Sequence, residues 1–99
     1  MRAIKITSFV KPIDVENDPN ALQREVLGPF ENVRLRDGGV MLVNEDGARN
    51  GLALNPIAGL IAGALTYGPV LIVGMDDDET SYTDVPGRYM ELLMIDGPV

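Results

Sequence analysis

Cysteine and histidine are absent from this chain of 99 residues. Without cysteine there is no disulfide, no thiol nucleophile and no thiolate metal ligand. Without histidine the chain lacks the side chain that most often serves as a general base or zinc ligand, and a Ser-His-Asp triad cannot be built. No other catalytic pattern replaces them. We therefore predict a protein that is not an enzyme and that uses no metal and no cofactor.

Basic residues are scarce, because eight Lys and Arg stand against fifteen Asp and Glu and the net charge is −7. This balance argues against a protein that coats nucleic acid or an anionic membrane through bulk charge. The imbalance is concentrated in residues 50–99, where Arg88 is the one basic residue against seven acidic ones. We expect no direct nucleic-acid partner.

The densest acidic stretch is the run 76–79, with the sequence DDDE. One interpretation is a solvated loop that keeps a small apolar domain soluble. The other is a docking face for a basic partner, as in an inhibitor that mimics DNA. A calcium-binding loop starting at Asp76 does not fit, since its sixth position is Ser81 instead of glycine and its twelfth is Gly87 instead of an acid.

One long uncharged run, residues 56–75, has the length of a membrane span. Six of its twenty residues are Gly or Pro, and the central Gly68-Pro69 would break a single helix. We predict instead a short buried helix over 56–65, a turn at 66–69 and a buried strand over 70–73. No membrane partner is expected.

The length corresponds to a single domain over residues 1–99. Alternation around Ile4 and Ile6 predicts a strand that ends at Lys11-Pro12. Asp18-Pro19 predicts the start of a helix, and Gly28-Pro29 predicts its end.

Further strands are predicted over 30–35, over 40–43 after an Asp-Gly hairpin turn at 36–39, and around Leu52 and Leu54. A last helix is predicted after a cap at Thr83 or Asp84; its inward stripe is Tyr89, Leu92 and Leu93. Together these elements predict an α+β domain with a small antiparallel or mixed sheet of four to five strands and two to three helices.

Four polar or aromatic side chains near the predicted turns are candidate ligand-binding residues: Asn44, Arg49, Asn55 and Tyr67. Asparagine suits turns because its side chain bonds nearby backbone, so a purely structural role explains the cluster as well. The functional interpretation is a small-molecule pocket, where the Tyr67 ring stacks on a base and the Asn and Arg side chains bind its edge or phosphate.

Three motifs carry a resemblance to a known family: the strand 40–43 followed by Asn-Glu-Asp-Gly, the segment Gly-Leu-Ala-Leu-Asn at 51–55, and the strand 70–74. The chain resembles a family of small uncharacterised proteins, a domain of unknown function carried by phages and conjugative elements of Gram-positive bacteria. Members often have a basic residue after the last Asn, where this chain has Pro56. If that basic residue contacts a phosphate in the family, the contact has been lost or relocated in this chain.

The resemblance implies a non-enzymatic accessory protein of a phage or mobile element that acts by binding in the host cytoplasm. It would sequester a small nucleotide-like ligand or block a host defence protein, so its expected partner is a small molecule or a host protein. The alternative is an acidic, DNA-mimicking inhibitor of a host nucleic-acid-binding protein. A homo-oligomer is also possible, since a domain with so small a core is stabilised when association buries more of its surface.

Overall fold

Six strands form one sheet in the computed structural model, which describes residues 1–93. The strands are β1 (Arg2–Ile6), β2 (Val10–Asp14), β3 (Phe30–Arg34), β4 (Gly39–Asn44), β5 (Val70–Met75) and β6 (Tyr82–Thr83). The helices are α1 (Pro19–Val26), α2 (Pro56–Ala62) and α3 (Gly87–Leu93). The predicted α+β class is confirmed. The sheet has six strands instead of four to five.

The order across the sheet is β2-β1-β5-β4-β3, and every pairing is antiparallel. The two-residue strand β6 pairs with the far end of β5, on the side where β1 has ended. Strand β5 therefore lies at the centre of the sheet, while β2 and β3 form its two edges.

The expectation that Lys11-Pro12 ends the first strand is wrong, because both residues lie within β2. Met1 and Val15 exchange both of their backbone hydrogen bonds, which sets the alternation along the β1–β2 ladder. In this register the nitrogen of Pro12 points away from β1. Its missing N–H therefore costs no hydrogen bond within the sheet, which is why proline is tolerated there.

Strand β5 contributes buried side chains to the core on both faces of the sheet. Leu71 and Val73 pack in the cluster that contains Leu22 of α1, while Val70 and Ile72 pack in the cluster that contains Ala58 of α2. A strand covered on both faces is apolar at successive positions, as the sequence of β5 is. The prediction of a helix, a turn and a buried strand within the uncharged run is confirmed, but the helix is not buried as predicted, since Ala58 is its one buried residue and Leu60 is 86% exposed. In residues 1–93 no helix is long and apolar enough to cross a bilayer.

Helix boundaries differ from the expected ones by a few residues. Helix α1 ends at the left-handed residue Leu27, with φ 66°, one residue before the glycine expected there. Helix α2 ends at Ala62 because Gly63 takes φ 77° and its N–H bonds the Gly59 carbonyl.

Helix α3 begins at Gly87, after both residues proposed as its cap. Thr83 belongs to β6, and the Asp84 carboxylate accepts a hydrogen bond from the Arg2 amide. The inward stripe is partly right, since Tyr89 is buried and Leu92 is exposed.

The predicted hairpin between β3 and β4 is confirmed with a different turn, and the predicted strand around Leu52 and Leu54 is corrected. Residues Arg36–Gly38 form a 3-10 turn in which Gly38 alone has a positive φ, so β3 and β4 are not joined by a tight two-residue turn. Leu54 makes a single bridge to Tyr67 instead of belonging to a short strand. No longer strand forms there, because α2 begins at Pro56, two residues after Leu54.

A methyl group at Gly74 has no room, since a Cβ atom there would lie 2.4 Å from the Thr83 hydroxyl and 2.5 Å from the Asp84 carbonyl. We predict that Gly74→Ala lowers the free energy of unfolding by about 1–3 kcal/mol, measured by urea denaturation. Gly87→Ala is the matched control, because a Cβ atom there meets nothing within 4 Å. Equal stability of the Gly74 variant and the native chain would refute this close approach.

Candidate ligand-binding cleft

The side-chain amide of Asn55 fixes the position of the cleft. Its Oδ1 accepts from the Ala58 amide at 3.1 Å and so caps the start of α2. Its Nδ2 donates to the carbonyls of Ile6 and Gly68, at 3.0 and 2.9 Å. The side chain is buried and all of these bonds are intramolecular. The predicted site residue Asn55 therefore has a structural role in the fold, the role that its residue type also suggested.

Backbone bonds hold the segment before α2 against the turn before β5. The Asn55 amide donates to the Thr66 carbonyl at 2.7 Å, and the Gly68 amide donates to the Ala53 carbonyl at 2.8 Å. Leu52 packs closely on Gly68, where a Cβ atom would lie 2.7 Å from its Cδ1. These contacts make residues 52–57 a fixed wall.

A cleft of about 530 Å³ lies between this wall, the end of β1 and the end of α1. Seven of its lining residues are aliphatic: Leu27, Leu52, Ala53, Leu54, Pro56, Ile57 and Pro69. Its polar lining comes from Lys5, Thr7, Ser8, Glu25 and Asn55. Leu27 and Leu54 are 60% and 49% exposed, so they present apolar surface to an open cleft. The volume lies within the range of about 300–1,000 Å³ that is typical of ligand pockets.

Lys5 and Glu25 form an ion pair in the wall of the cleft, with 2.8 Å between Nζ and Oε1. Their side chains are 25% and 31% exposed. A lysine ammonium has three hydrogens, so Lys5 retains donors for an acceptor group on a ligand. Because the pair is partly buried, solvent and salt screen its charges less than they screen fully exposed charges.

The other predicted site residues do not line this cleft. Asn44 and Tyr67 both line a second cleft of about 320 Å³, beside β3 and the end of α2. Its lining includes the acids Glu31 and Glu45 and no basic residue. The Asn44 side chain is buried, donating to the Val26 carbonyl at 3.0 Å and accepting from the Asp46 amide at 2.9 Å.

Arg49 lines neither of these two clefts. Its side chain is 84% exposed and lies 3.7 Å from the Asp46 carboxylate, three residues earlier in the same turn. An ion pair this exposed contributes at most about 1 kcal/mol. The four predicted residues are therefore distributed over two clefts and one exposed turn.

Sequence reasoning missed the pair Lys5–Glu25 and the exposed Leu27 and Leu54. The available signal was Lys5 itself, a charge on a strand whose neighbours Ile4 and Ile6 are fully buried. Its partner Glu25 is twenty residues away on α1, and no short motif links the two. Only the packing of α1 on the sheet brings them together.

The acidic run 76–79 is a structured loop. The Asp76 carboxylate accepts hydrogen bonds from the amides of Thr80 and Ser81 and from the Thr80 hydroxyl. Glu79 has φ 58° and forms an ion pair with Arg34. The Thr80 amide is the main cause that holds the pKa of Asp76 below its ordinary value. Half of the carboxylates in this run thus have partners within the fold.

A protein-family model described as "Domain of unknown function (DUF3846)" matches residues 1–95. No curated protein and no solved structure matches the chain. The family match thus covers the cleft and the whole sheet but supplies no reaction, ligand or partner.

Replacing Asn55 should cost much of the stability of the fold. We predict that Asn55→Ala lowers the free energy of unfolding by about 3 kcal/mol, since it uncaps α2 and leaves two buried carbonyls without a donor. Chemical denaturation measures this loss. Asn50→Ala, at an exposed position of the preceding turn, should stay within about 0.5 kcal/mol of the native chain. A similarly small loss at Asn55 would contradict its structural role.

The lowered pKa of Asp76 makes its contribution to stability pH-dependent. The contribution is present above the ordinary aspartate value of about pH 4 and is lost as the pH falls through the lowered value. We predict that Asp76→Asn is less stable than the native chain at neutral pH and that the difference shrinks in acid. Urea denaturation at neutral pH and in acid measures this difference in stability. Asp77→Asn controls for the lost charge, and a constant difference for Asp76→Asn across the pH range would refute the linkage.

Proposed function

The chain belongs to the DUF3846 family, whose function is unknown, and we propose that it works by binding a small molecule in the cleft next to Lys5, without catalysing a reaction. The observation that carries this proposal is the cleft itself, about 530 Å³ in volume, mostly aliphatic and with one ion pair in its wall. Ligand sites commonly combine such an apolar lining with a few fixed polar groups.

The chemistry of the cleft favours a ligand with an apolar body and one acceptor group. Leu27, Leu54 and Ile57 would bury the apolar part, and Lys5 would donate to the acceptor, such as a carboxylate. The Lys5–Glu25 pair holds the ammonium in place before a ligand arrives, which reduces the entropy lost on binding.

A nucleotide-like ligand has less support. No aromatic side chain lines the larger cleft, so a base would find no ring to stack on there. Tyr67 lines the second cleft, where Glu31 and Glu45 would repel a phosphate. Pro56 stands at the first position of α2, a place that proline suits for helix geometry alone. Lys5 is the basic residue of the larger cleft and would take over the anion contact.

The biological setting rests on the resemblance described above. An origin in phages or conjugative elements, and action in a host cytoplasm, stay predictions. In that setting a binding protein would remove a small signal molecule or block a host defence protein. The DNA-mimic alternative has less support from the acidic loop, because Asp76 and Glu79 are engaged with Thr80 and Arg34. Capture of host nucleases that weakens with added salt would favour it nonetheless.

The cleft proposal predicts which amides respond to a ligand. Titration of isotope-labelled protein with hexanoate, octanoate or decanoate should shift the amide resonances of Thr7, Ser8 and Leu54, and AMP serves as the nucleotide probe. Leu54→Glu should abolish the response, because a carboxylate in the cleft repels the carboxylate of the probe and costs desolvation.

Leu60→Glu is the matched control. Leu60 is 86% exposed on α2 and does not line the cleft, so this variant should bind the probe as the native chain does. A response to AMP alone would replace the apolar carboxylate by a nucleotide as the ligand class. If neither probe class shifts the three amides, binding in this cleft is refuted and a protein partner becomes the leading proposal.

A further inference from the structure

The two edges of the sheet differ in whether their backbone can accept another strand. A free edge presents N–H and C=O groups without partners, and proteins often block such edges with proline. The order of the sheet places β2 at one edge and β3 at the other. Which backbone groups face outward follows from the hydrogen bonds that each edge makes to its inner neighbour.

On β3 the groups that face outward belong to Phe30, Asn32 and Arg34. The Pro29 carbonyl accepts from Glu45 and the Leu35 amide donates to Gly39, which makes odd-numbered residues the ones bonded to β4. Each of the three even-numbered residues therefore points one N–H and one C=O away from the sheet. Asn32 and Arg34 are exposed.

On β2 the corresponding outward positions are Val10, Pro12 and Asp14. Pro12 occupies the middle of the three and has no N–H to offer, so a strand added there would lose a central hydrogen bond. Strand β3 contains no proline. The sheet is thus blocked against strand addition at one edge and open to it at the other.

We propose that β3 is a homodimer interface, in which two copies pair antiparallel about a two-fold axis at Asn32 and join their sheets into one. In this register Asn32 faces Asn32 of the second copy, and Phe30 faces Arg34 of the second copy. These pairs use all the outward groups of β3 and form six backbone hydrogen bonds. Centring the axis on Val33 instead leaves Phe30 opposite the turn and forms fewer bonds within the strands.

The side chains of β3 favour a second copy as the occupant. Arg34 lies opposite Phe30, where a guanidinium can pack on the ring, and Glu31 lies opposite Val33. No two charges of like sign stand directly opposite each other in this register. Arg34 is already oriented by its ion pair with Glu79, so less freedom is lost when the second strand arrives.

Charge substitutions at Asn32 test the axis directly, because this residue faces itself across it. Sedimentation equilibrium from about 1 µM to about 1 mM should show a monomer–dimer equilibrium for the native chain. Asn32→Lys and Asn32→Asp should each weaken the dimer at least about fivefold, since each places like charges opposite one another. An equimolar mixture of the two variants should restore association, because Lys then faces Asp.

Two variants control for effects within one copy. Tyr82→Phe removes the hydrogen bond that the Tyr82 hydroxyl donates to Asn32 and should leave the dimer intact. Asp14→Lys changes the charge of the opposite edge and should also leave it intact. The proposal is overturned if the native chain stays monomeric at every concentration or if the mixture fails to associate. Tighter association of Asn32→Asp alone would also overturn it, because that result places Arg34 opposite residue 32.

Discussion

The buried amide of Asn55 joins the end of β1, the turn before β5 and the first turn of α2 by three hydrogen bonds. The amide thereby gives hydrogen-bond partners to two carbonyls and one N–H that would be costly to bury without them. The junction fixes where residues 52–57 lie relative to the sheet. The cleft of about 530 Å³ depends on it, since those residues form one of its walls.

The residue that stabilises the wall and the residues proposed to contact a ligand are therefore different, although they lie close together. Asn55 holds the wall, while Lys5 and Leu54 present the surface that a ligand would contact. This division explains why a residue type associated with recognition, asparagine, has a structural role at both Asn44 and Asn55. Both N–H donors of the Asn55 amide are used within the fold, so this amide has no donor left for a ligand.

The distribution of charge follows the same logic. Asp76 accepts a hydrogen bond from the Thr80 amide in its own loop, and Glu79 forms an ion pair with Arg34. Some of the acidic residues in 50–99 therefore make contacts within the fold. The two edges of the sheet also differ in whether another strand can be added. Proline blocks β2 at no cost to the sheet, whereas the backbone of β3 stays available. The proposed ligand cleft and the proposed β3 interface are separate surfaces, so the two kinds of binding would not compete.

The sequence by itself determined the α+β class, the start of α1 at Asp18-Pro19 and the helix, turn and strand within residues 56–75. These follow from local rules: a capping side chain, a proline that fits the first helical position, and glycines that end a helix. Strand β2 was missed because whether Pro12 breaks a strand depends on which way its nitrogen faces, and only strand pairing sets that direction. The pairing of Lys5 with Glu25 and the hydrogen bonds of the Asn44 and Asn55 amides were likewise decided by the tertiary structure, because each joins residues that are far apart along the chain.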